Sequence, residues 1–157
     1  MLLDLDLVPQ SCWFSNVRSE VTKQQWDKIR HEAYLEAEYV CQICGGIGPK
    51  HPVEAHEIWE YDEAALKQKL VGIEAICPAC HSVRHFGLAR ILGKEQEALA
   101  HFMKINKVSK SKALSHIEKK FAEWKHRSQL QWELDISFLE RYGINVKEIQ
   151  KAKRKTT

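Results

Sequence analysis

Residues 41–44 read Cys-Gln-Ile-Cys, and residues 77–85 read Cys-Pro-Ala-Cys-His-Ser-Val-Arg-His. Two Cys-x2-Cys pairs can close a tetrahedral shell around zinc, with Zn–S distances of about 2.3 Å. Four thiolates leave no position for a substrate, so the spacing predicts a structural zinc that ties the end of one helix to the start of another. The alternative is two buried cysteine pairs without metal. The predicted ligands are Cys41, Cys44, Cys77 and Cys80.

A second group of potential ligands follows the last cysteine. His81 and His85 are four residues apart, so on a helix both imidazoles face the same side and can reach one divalent ion. Taken alone, a pair with this spacing is also typical of capped or surface histidines. His56 lies in the strand-like segment at residues 52–59 and can supply a third contact. The remaining histidines have no partner spacing and receive no role: His31, His51, His101, His116 and His126.

The order of these motifs resembles that of the HNH, or ββα-metal, endonucleases. In that family a β-hairpin and the following helix enclose one catalytic divalent ion, and many members add a four-cysteine zinc site. The resemblance covers residues 40–92, about a third of the chain. It implies that the cysteines bind structural zinc and that His81 and His85 bind the catalytic ion, like the helix histidines of the colicin-type subgroup. Imidazole ligands suit Mn²⁺, Ni²⁺, Co²⁺ or Zn²⁺ better than Mg²⁺.

The strand of such nucleases usually holds two adjacent polar residues, of which the first binds the ion and the second is a histidine that activates water. If His56 takes the second place, it is the general base, and Ala55 stands in the ligand place. If His56 takes the first place, it is a third metal ligand, and Glu57 stands where the base is expected. A carboxylate can serve as a general base. Ile58 then falls on the apolar position that commonly follows the pair, which favours this second alignment.

The family also commonly places an asparagine five residues before the third cysteine, where it orients the base or the ion. This chain has Gly72 at that position. This departure from the family pattern predicts reduced activity unless Glu74 or Asp62 compensates for the missing asparagine.

Charge is unevenly distributed along the chain. Residues 1–93 contain 9 Lys and Arg against 13 Asp and Glu, a net charge of −4, whereas residues 94–157 contain 15 against 8, a net charge of +7. The asymmetry suits a polyanionic partner such as DNA, although a solvated helical face with a basic tail gives the same pattern. The expected phosphate contacts position DNA without reading its sequence. They are Arg84, Arg90, Lys153 and Arg154.

The N-terminus carries no recognisable export signal. It lacks a basic segment and contains Asp4 and Asp6 before Pro9. No run approaches the roughly 18 apolar residues of a membrane span, so no membrane partner is expected. A cytoplasmic location is expected, and in that compartment paired cysteines are expected to bind metal rather than form disulfides.

The predicted fold is α+β and mostly helical. Residues 1–38 form a lead-in and a helix from about 22 to 38, which opens with the capping box Thr22-Lys-Gln-Gln25. Residues 39–92 form a small ββα-metal core with a zinc knuckle. Residues 93–157 form a basic helical extension.

Within the core and the extension, hydrophobic periodicity predicts the individual elements. Strands are expected over 52–59 and 73–76, with a polar loop or short helix over 61–70 between them. The expected helices cover about 78–92, 95–105, 111–127 and 132–142.

These features together predict a metal-dependent HNH endonuclease that hydrolyses the phosphodiester bonds of DNA. The expected substrate is double-stranded DNA, and the expected assembly is a homodimer or a larger defence or DNA-processing complex. The implied catalytic residues are His56, Glu57 and His81. The alternative is a catalytically degraded HNH-fold zinc module that binds DNA or docks into a larger protein assembly, and the Ala55 and Gly72 departures favour it.

Overall fold

The computed structural model describes residues 1–156, and the side chains of residues 1–152. About half of the chain is helical and three strands form a sheet, so the predicted α+β class is confirmed. The helices are α1 (Val17–Glu20), α2 (Lys23–Glu36), α3 (Pro78–Arg84), α4 (Phe86–Ile91), α5 (Glu95–Asn106), α6 (Lys110–Arg127) and α7 (Val146–Thr156). The strands are β1 (Glu54–Asp62), β2 (Lys67–Ile76) and β3 (Glu133–Asp135).

Helix α2 begins as the sequence predicts. The Gln25 amide donates to Thr22 Oγ1 at 3.1 Å, and Gln25 Oε1 accepts from the Thr22 amide at 2.9 Å, which completes the capping box. The face that carries Trp26, Ile29 and Ala33 is buried. Burial of this stripe accounts for the helix, and the predicted start is confirmed.

The hairpin of β1 and β2 is longer than predicted. Strand pairing runs from Glu54 opposite Ile76 to Asp62 opposite Lys67, so the predicted loop or helix over 61–70 is wrong. A half-buried strand is predicted from apolar residues at every second position. Gln68 breaks that pattern in the sequence, because it is polar and yet only 1% exposed. Strand β1 is an edge strand of the sheet, whose order is β1-β2-β3.

The predicted helix over 132–142 is also wrong. Strand β3 pairs in parallel with β2, and a 3-10 helix follows over Ser137–Tyr142. The Asp135 side chain accepts from the Ser137 amide at 3.0 Å and so fixes a turn between the two elements. Gly143 ends the 3-10 helix with a φ of 75°, a conformation in which glycine has no Cβ penalty.

The predicted helix over 78–92 is divided into α3 and α4. His85 interrupts it with φ −97° and ψ 52°. Val83 and Phe86, on either side of the bend, are both fully buried in one core. Residues three apart are neighbours on one helix face, so both side chains remain on the core side of the chain across the bend.

Two hydrophobic cores hold these elements together. The first packs Leu3 and Leu5 against the α3, α5 and α6 side chains Val83, Phe102 and Ile117. The second contains, among others, Ile29, Trp59, Leu70 and Leu139. Each core draws residues from all three predicted segments, 1–38, 39–92 and 93–157, and the boundaries of those segments stay a prediction. Within residues 1–156, no helix combines the length and the apolar content that a bilayer span requires.

Candidate metal centres

The four predicted zinc ligands come together in the folded chain. The sulfur atoms of Cys41, Cys44, Cys77 and Cys80 all lie within 4.8 Å of one another, and those of Cys44 and Cys77 are 3.6 Å apart. Two sulfurs on one tetrahedral zinc would be separated by about 3.8 Å, given Zn–S distances of about 2.3 Å. The cluster could therefore hold a zinc ion.

The backbone of residues 41–48, the zinc knuckle, is arranged to stabilise thiolates. The Gly46 amide donates to Cys44 Sγ at 3.4 Å, and the Cys44 amide donates to Cys41 Sγ at 3.5 Å. Burial raises the pKa of Cys41, but the amides of Cys44 and its neighbours outweigh it and lower that pKa to about 7. Burial and the nearby Cys41 and Cys77 charges raise the pKa of Cys80. A dication would relieve this crowding of charge.

The knuckle is fastened to the hairpin and to α3. The Gln42 amide donates to the Ala75 carbonyl at 3.0 Å, and Gln42 Oε1 accepts from the Ala75 amide at 2.9 Å. At Gly48, an added Cβ would lie 2.3 Å from the His51 carbonyl oxygen and 2.7 Å from Pro78. Only glycine therefore allows the knuckle to approach the start of α3 so closely.

His101 on α5 makes a contact that the sequence did not indicate. Its Nε2 lies 3.2 Å from Cys80 Sγ. Partners of this kind orient and tune metal ligands from outside the coordination shell. The sequence could not have indicated this contact, because Cys80 and His101 are 21 residues apart and meet only in the folded chain.

His56, His81 and His85, the histidine cluster, are brought together where β1 meets α3. The ring centroids are 5.5 Å apart for His56 and His81, 5.1 Å for His56 and His85, and 4.8 Å for His81 and His85. The sequence predicted this convergence only through the resemblance, because 25 residues or more separate His56 from the pair on the helix.

Acidic side chains orient two of the three imidazoles. His56 Nδ1 lies 3.0 Å from Glu74 Oε1, and His81 Nδ1 contacts Glu54. Histidine and arginine partners outweigh burial and hold the pKa of Glu74 below its usual value, and histidine partners do the same for Glu54. Both carboxylates are therefore ionised and can only accept, so the Nδ1 atoms carry the protons. When the imidazoles are neutral, their lone pairs lie on Nε2.

The remaining imidazole is His85, and no hydrogen bond to it occurs within the described structure. Burial, together with the nearby His81 and His56, lowers the pKa of His85 to about 3. Burial also lowers the pKa of His81, although Glu54 opposes this effect. Both rings are thus neutral at pH 7, which is the form that binds metal ions.

The spacing of the histidine cluster fits a shared ion. A ring centroid lies about 3.2 Å from an ion bound at about 2.1 Å, so two rings at about 90–109° have centroids about 4.5–5.2 Å apart. The observed 4.8–5.5 Å is close to this range. Among groups of three or more described side chains, however, only the four cysteines have potential ligand atoms that all lie within 4.8 Å of one another. The imidazoles therefore have a suitable spacing, but ring rotations are needed to aim their nitrogens at one point.

Glu57 is held apart from the histidine cluster. Its Oε1 accepts from the Val17 amide at 3.0 Å, and successive side chains of a strand point to opposite faces. Burial raises the pKa of Glu57. Since β1 is an edge strand, Glu57 and His56 both line the open cleft that runs beside it.

Of the residues considered in place of the family's asparagine, only Glu74 reaches the histidine cluster. Glu74 is the direct cross-strand neighbour of His56. Gly72 lies opposite Ile58, and an added Cβ there would be 3.2 Å from the Ile58 side chain. Asp62 lies at the far end of the hairpin, where it accepts from the Ala65 amide at 3.0 Å.

The arginines expected to contact DNA have different surroundings. Arg84 is 17% exposed and makes paired hydrogen bonds to Glu74, at 2.8 and 3.2 Å. Arg90 is 41% exposed and pairs with Glu95 at 2.8 Å. Lys153 and Arg154 lie outside the residues whose side chains the structure describes.

A cleft of about 850 Å³ opens beside the histidine cluster. Aromatic side chains supply much of its wall, and Arg18 and Arg90 lie at its edge, with the Arg18 guanidinium 5.0 Å from the Trp26 ring centroid. The aromatic residues are Trp13, Trp26, Trp59, Phe121 and Trp124. Such a cleft can admit a sizeable ligand to the three imidazoles. No family model, curated protein or solved structure matches this chain in comparisons with known proteins.

Proposed function

We propose that this chain is a metal-dependent HNH-type endonuclease that hydrolyses phosphodiester bonds in DNA. The observation that carries the proposal is the meeting of three imidazoles, 4.8–5.5 Å apart, on a hairpin and its following helix. That order of elements, beside a four-cysteine cluster, is the one that the ββα-metal resemblance implies. The open cleft gives a substrate access to the imidazoles.

The chain's own groups have distinct tasks in this proposal. His56, His81 and His85 hold the divalent ion, of which Mn²⁺, Ni²⁺, Co²⁺, Zn²⁺ and Mg²⁺ are the candidates. Glu74 and Glu54 fix the Nδ1 protons of His56 and His81 and so direct each Nε2 towards metal binding. A bound ion supplies stabilisation of the charge that builds on the phosphate and the departing 3′ oxygen.

Glu57 is the proposed general base. Burial raises the pKa of Glu57 towards the working pH, which suits a group that takes up a proton at pH 7. Glu57 Oε1 accepts from the Val17 amide, and the side chain lines the cleft from which water would reach it. Glu57→Gln tests this role directly, because Glu57 and His56 lie on opposite faces of β1.

DNA binding rests on the basic C-terminal half and on cations beside the cleft. Residues 94–157 have a net charge of +7, and phosphate contacts of this kind supply affinity rather than sequence preference. Arg18 and Arg90 line the cleft itself. They are proposed to hold the backbone of double-stranded DNA next to the histidine cluster, with Lys153 and Arg154 contributing from the C-terminus.

Plasmid cleavage tests the function directly. Zinc-loaded protein is incubated with supercoiled DNA and each of Mg²⁺, Mn²⁺, Ni²⁺, Co²⁺ and Zn²⁺, with EDTA as the blank. We expect ion-dependent cleavage that falls at least about 100-fold in His56→Ala, His81→Ala and Glu57→Gln. The exposed His126 supplies a matched control, and His126→Ala should keep full activity. Folded wild type that cleaves nothing with any of the ions would sink the proposal.

A zinc-stapled binding or docking module is the second candidate. It is favoured by the surroundings of His56, which is 4% exposed and has a carboxylate beside each ring nitrogen, as in a buried structural histidine. Helix α4 also exposes Leu88 and Ile91, which suits docking into a larger assembly. DNA binding without cleavage by any ion supports a binding module, and failure to bind DNA at low salt supports a docking module.

A further inference from the structure

The N-terminal segment, residues 1–9, brings a carboxylate to the histidine cluster. Asp6 Oδ2 lies 3.4 Å from His56 Nε2. The same oxygen is buried and makes no hydrogen bond within the described structure. A buried carboxylate oxygen without a partner is costly, so its position here needs a physical reason.

The N-terminal segment holds Asp6 firmly in this position. Leu3 and Leu5 are buried in the first core, and the Asp6 amide donates to the Arg84 carbonyl at 2.9 Å, at the end of α3. Asn106 on α5 pairs with the Leu3 backbone in both directions, at 2.9 and 2.7 Å. The carboxylate is therefore presented by an anchored backbone rather than by a loose tail.

His56 Nε2 and Asp6 Oδ2 face each other at 3.4 Å, and both are atom types that bind divalent ions. Glu74 Oε1 lies 3.0 Å from His56 Nδ1, so Nε2 is the ring nitrogen that faces the Asp6 oxygen. The distance of 3.4 Å is long for a hydrogen bond, and Asp6 Oδ2 forms none with His56. Two atoms bound to one ion at about 2.1 Å would lie about 3.0–3.5 Å apart for angles of about 90–110°. The observed separation matches two ligands of a common cation.

We infer that Asp6 is a ligand of the divalent ion that the histidine cluster binds, so that the site consists of three imidazoles and one carboxylate. The inference rests on the proposed function for the ion and adds a residue outside the part of the chain that carries the resemblance. An imidazole and carboxylate set of this kind accepts Mn²⁺, Co²⁺ and Zn²⁺. The first residues of the chain are thereby part of the site.

Metal binding by the full zinc-loaded chain tests the inference without using activity. Mn²⁺ affinity is measured by electron paramagnetic resonance of the free ion in wild type, Asp6→Asn, Asp4→Asn and His81→Ala. Loss of a ligand should weaken binding by at least the 10–100-fold typical of outer-shell partners, so we expect Asp6→Asn to fall by about 100-fold or more. Asp4 belongs to the same segment but pairs with His116 at 2.7 Å, so Asp4→Asn should stay within about 3-fold.

A second variant tests the same inference through a new absorption band rather than through a loss of affinity. In Asp6→Cys, Co²⁺ added to the zinc-loaded protein should produce a thiolate-to-cobalt charge-transfer band that wild type lacks, because a thiolate is a strong cobalt ligand. Thermal unfolding and zinc content of each variant establish that the fold is intact.

The outcomes separate the inference from the proposed function. Mn²⁺ affinity lost in His81→Ala but unchanged in Asp6→Asn, with no new band in Asp6→Cys, overturns the Asp6 assignment and leaves the histidine site standing. Failure of wild type to bind any ion beyond its zinc overturns both.

Discussion

Replacing Arg84 with methionine should destabilise the folded chain far more than replacing an exposed arginine. Arg84 donates through Nε and Nη2 to the two oxygens of Glu74, at 2.8 and 3.2 Å, and through Nη1 to the Asp4 carbonyl at 3.0 Å. The side chains of Arg84 and Glu74 are only 17% and 10% exposed. Methionine keeps most of the aliphatic packing, so the change removes mainly the charge and the three donors.

The expected cost is about 3 kcal/mol. Removing one member of a buried ion pair typically costs about 3–5 kcal/mol, since the partner stays buried without compensation. The lower end applies because His56 still contacts Glu74 at 3.0 Å. In a double-mutant cycle, Glu74→Gln should remove much of the penalty, with a coupling of about 2 kcal/mol between the two sites.

Urea unfolding at pH 7 in the presence of zinc, followed by far-ultraviolet circular dichroism, measures these free energies. The matched control is Arg90→Met, because Arg90 forms a 41%-exposed pair with Glu95 and stacks 4.1 Å from the Phe121 ring centroid. Such surface contacts contribute about 1 kcal/mol or less each. If Arg84→Met costs under about 1 kcal/mol while DNA affinity falls steeply, the buried-pair reasoning is refuted and the sequence-based assignment of Arg84 to DNA binding gains support.

Three further predictions concern the zinc centre. Cys77→Ser should lower bound zinc from about one ion per chain to near zero and cause loss of helical signal, and retention of zinc at full occupancy would contradict a four-cysteine site. His101→Phe removes the 3.2 Å contact to Cys80 and should speed zinc loss to a chelator by about 10–100-fold, with His126→Phe as the unaffected control. Gly48→Ala should cost about 2–3 kcal/mol in urea unfolding because its Cβ would lie 2.3 Å from a carbonyl oxygen. At Gly93, whose φ is +73°, an added Cβ would have no atom within 4 Å, so Gly93→Ala should cost only about 1 kcal/mol of backbone strain. Equal costs for Gly48→Ala and Gly93→Ala would contradict the packing argument.

The sequence predicts elements well where the determining contacts are local. The capping box at Thr22 and the apolar stripe behind it lie within a few residues of one another, and α2 follows. Only the end of strand β2 was predicted, because the polar residue Gln68 suggests an exposed position and is in fact buried by contacts from elsewhere in the fold. Strand β3 consists of three residues and owes its existence to parallel pairing with β2, which no short window of sequence contains.

The candidate sites show the same division. The cysteine cluster could be predicted from spacing, because each pair belongs to one turn of chain and only the meeting of the pairs is long-range. The contacts of Glu54 with His81 and of Asp6 with His56 had no local signal, since 27 and 50 residues separate the partners. Residues 2–7 do alternate leucine with aspartate, L-L-D-L-D-L. This period of two buries Leu3 and Leu5 and leaves Asp4 and Asp6 on the other side, which is a usable hint of an extended segment with an acidic face.

The cysteine cluster and the histidine cluster are mechanically one unit, because α3 carries parts of both. Cys77 is the N-cap of α3, and Cys80 is followed directly by His81. A zinc ion that fixes Cys77 and Cys80 also fixes the position and rotation of the first turn of α3, and therefore the direction of His81. The bend at His85 adds a second constraint, since burial of Val83 and Phe86 fixes the chain on either side of that imidazole. Zinc removal should therefore abolish Mn²⁺ binding at the histidine cluster, whereas loss of the second ion should leave the zinc centre intact. This one-way dependence distinguishes a scaffold metal from a functional one, and titrating each ion in the absence of the other would test it.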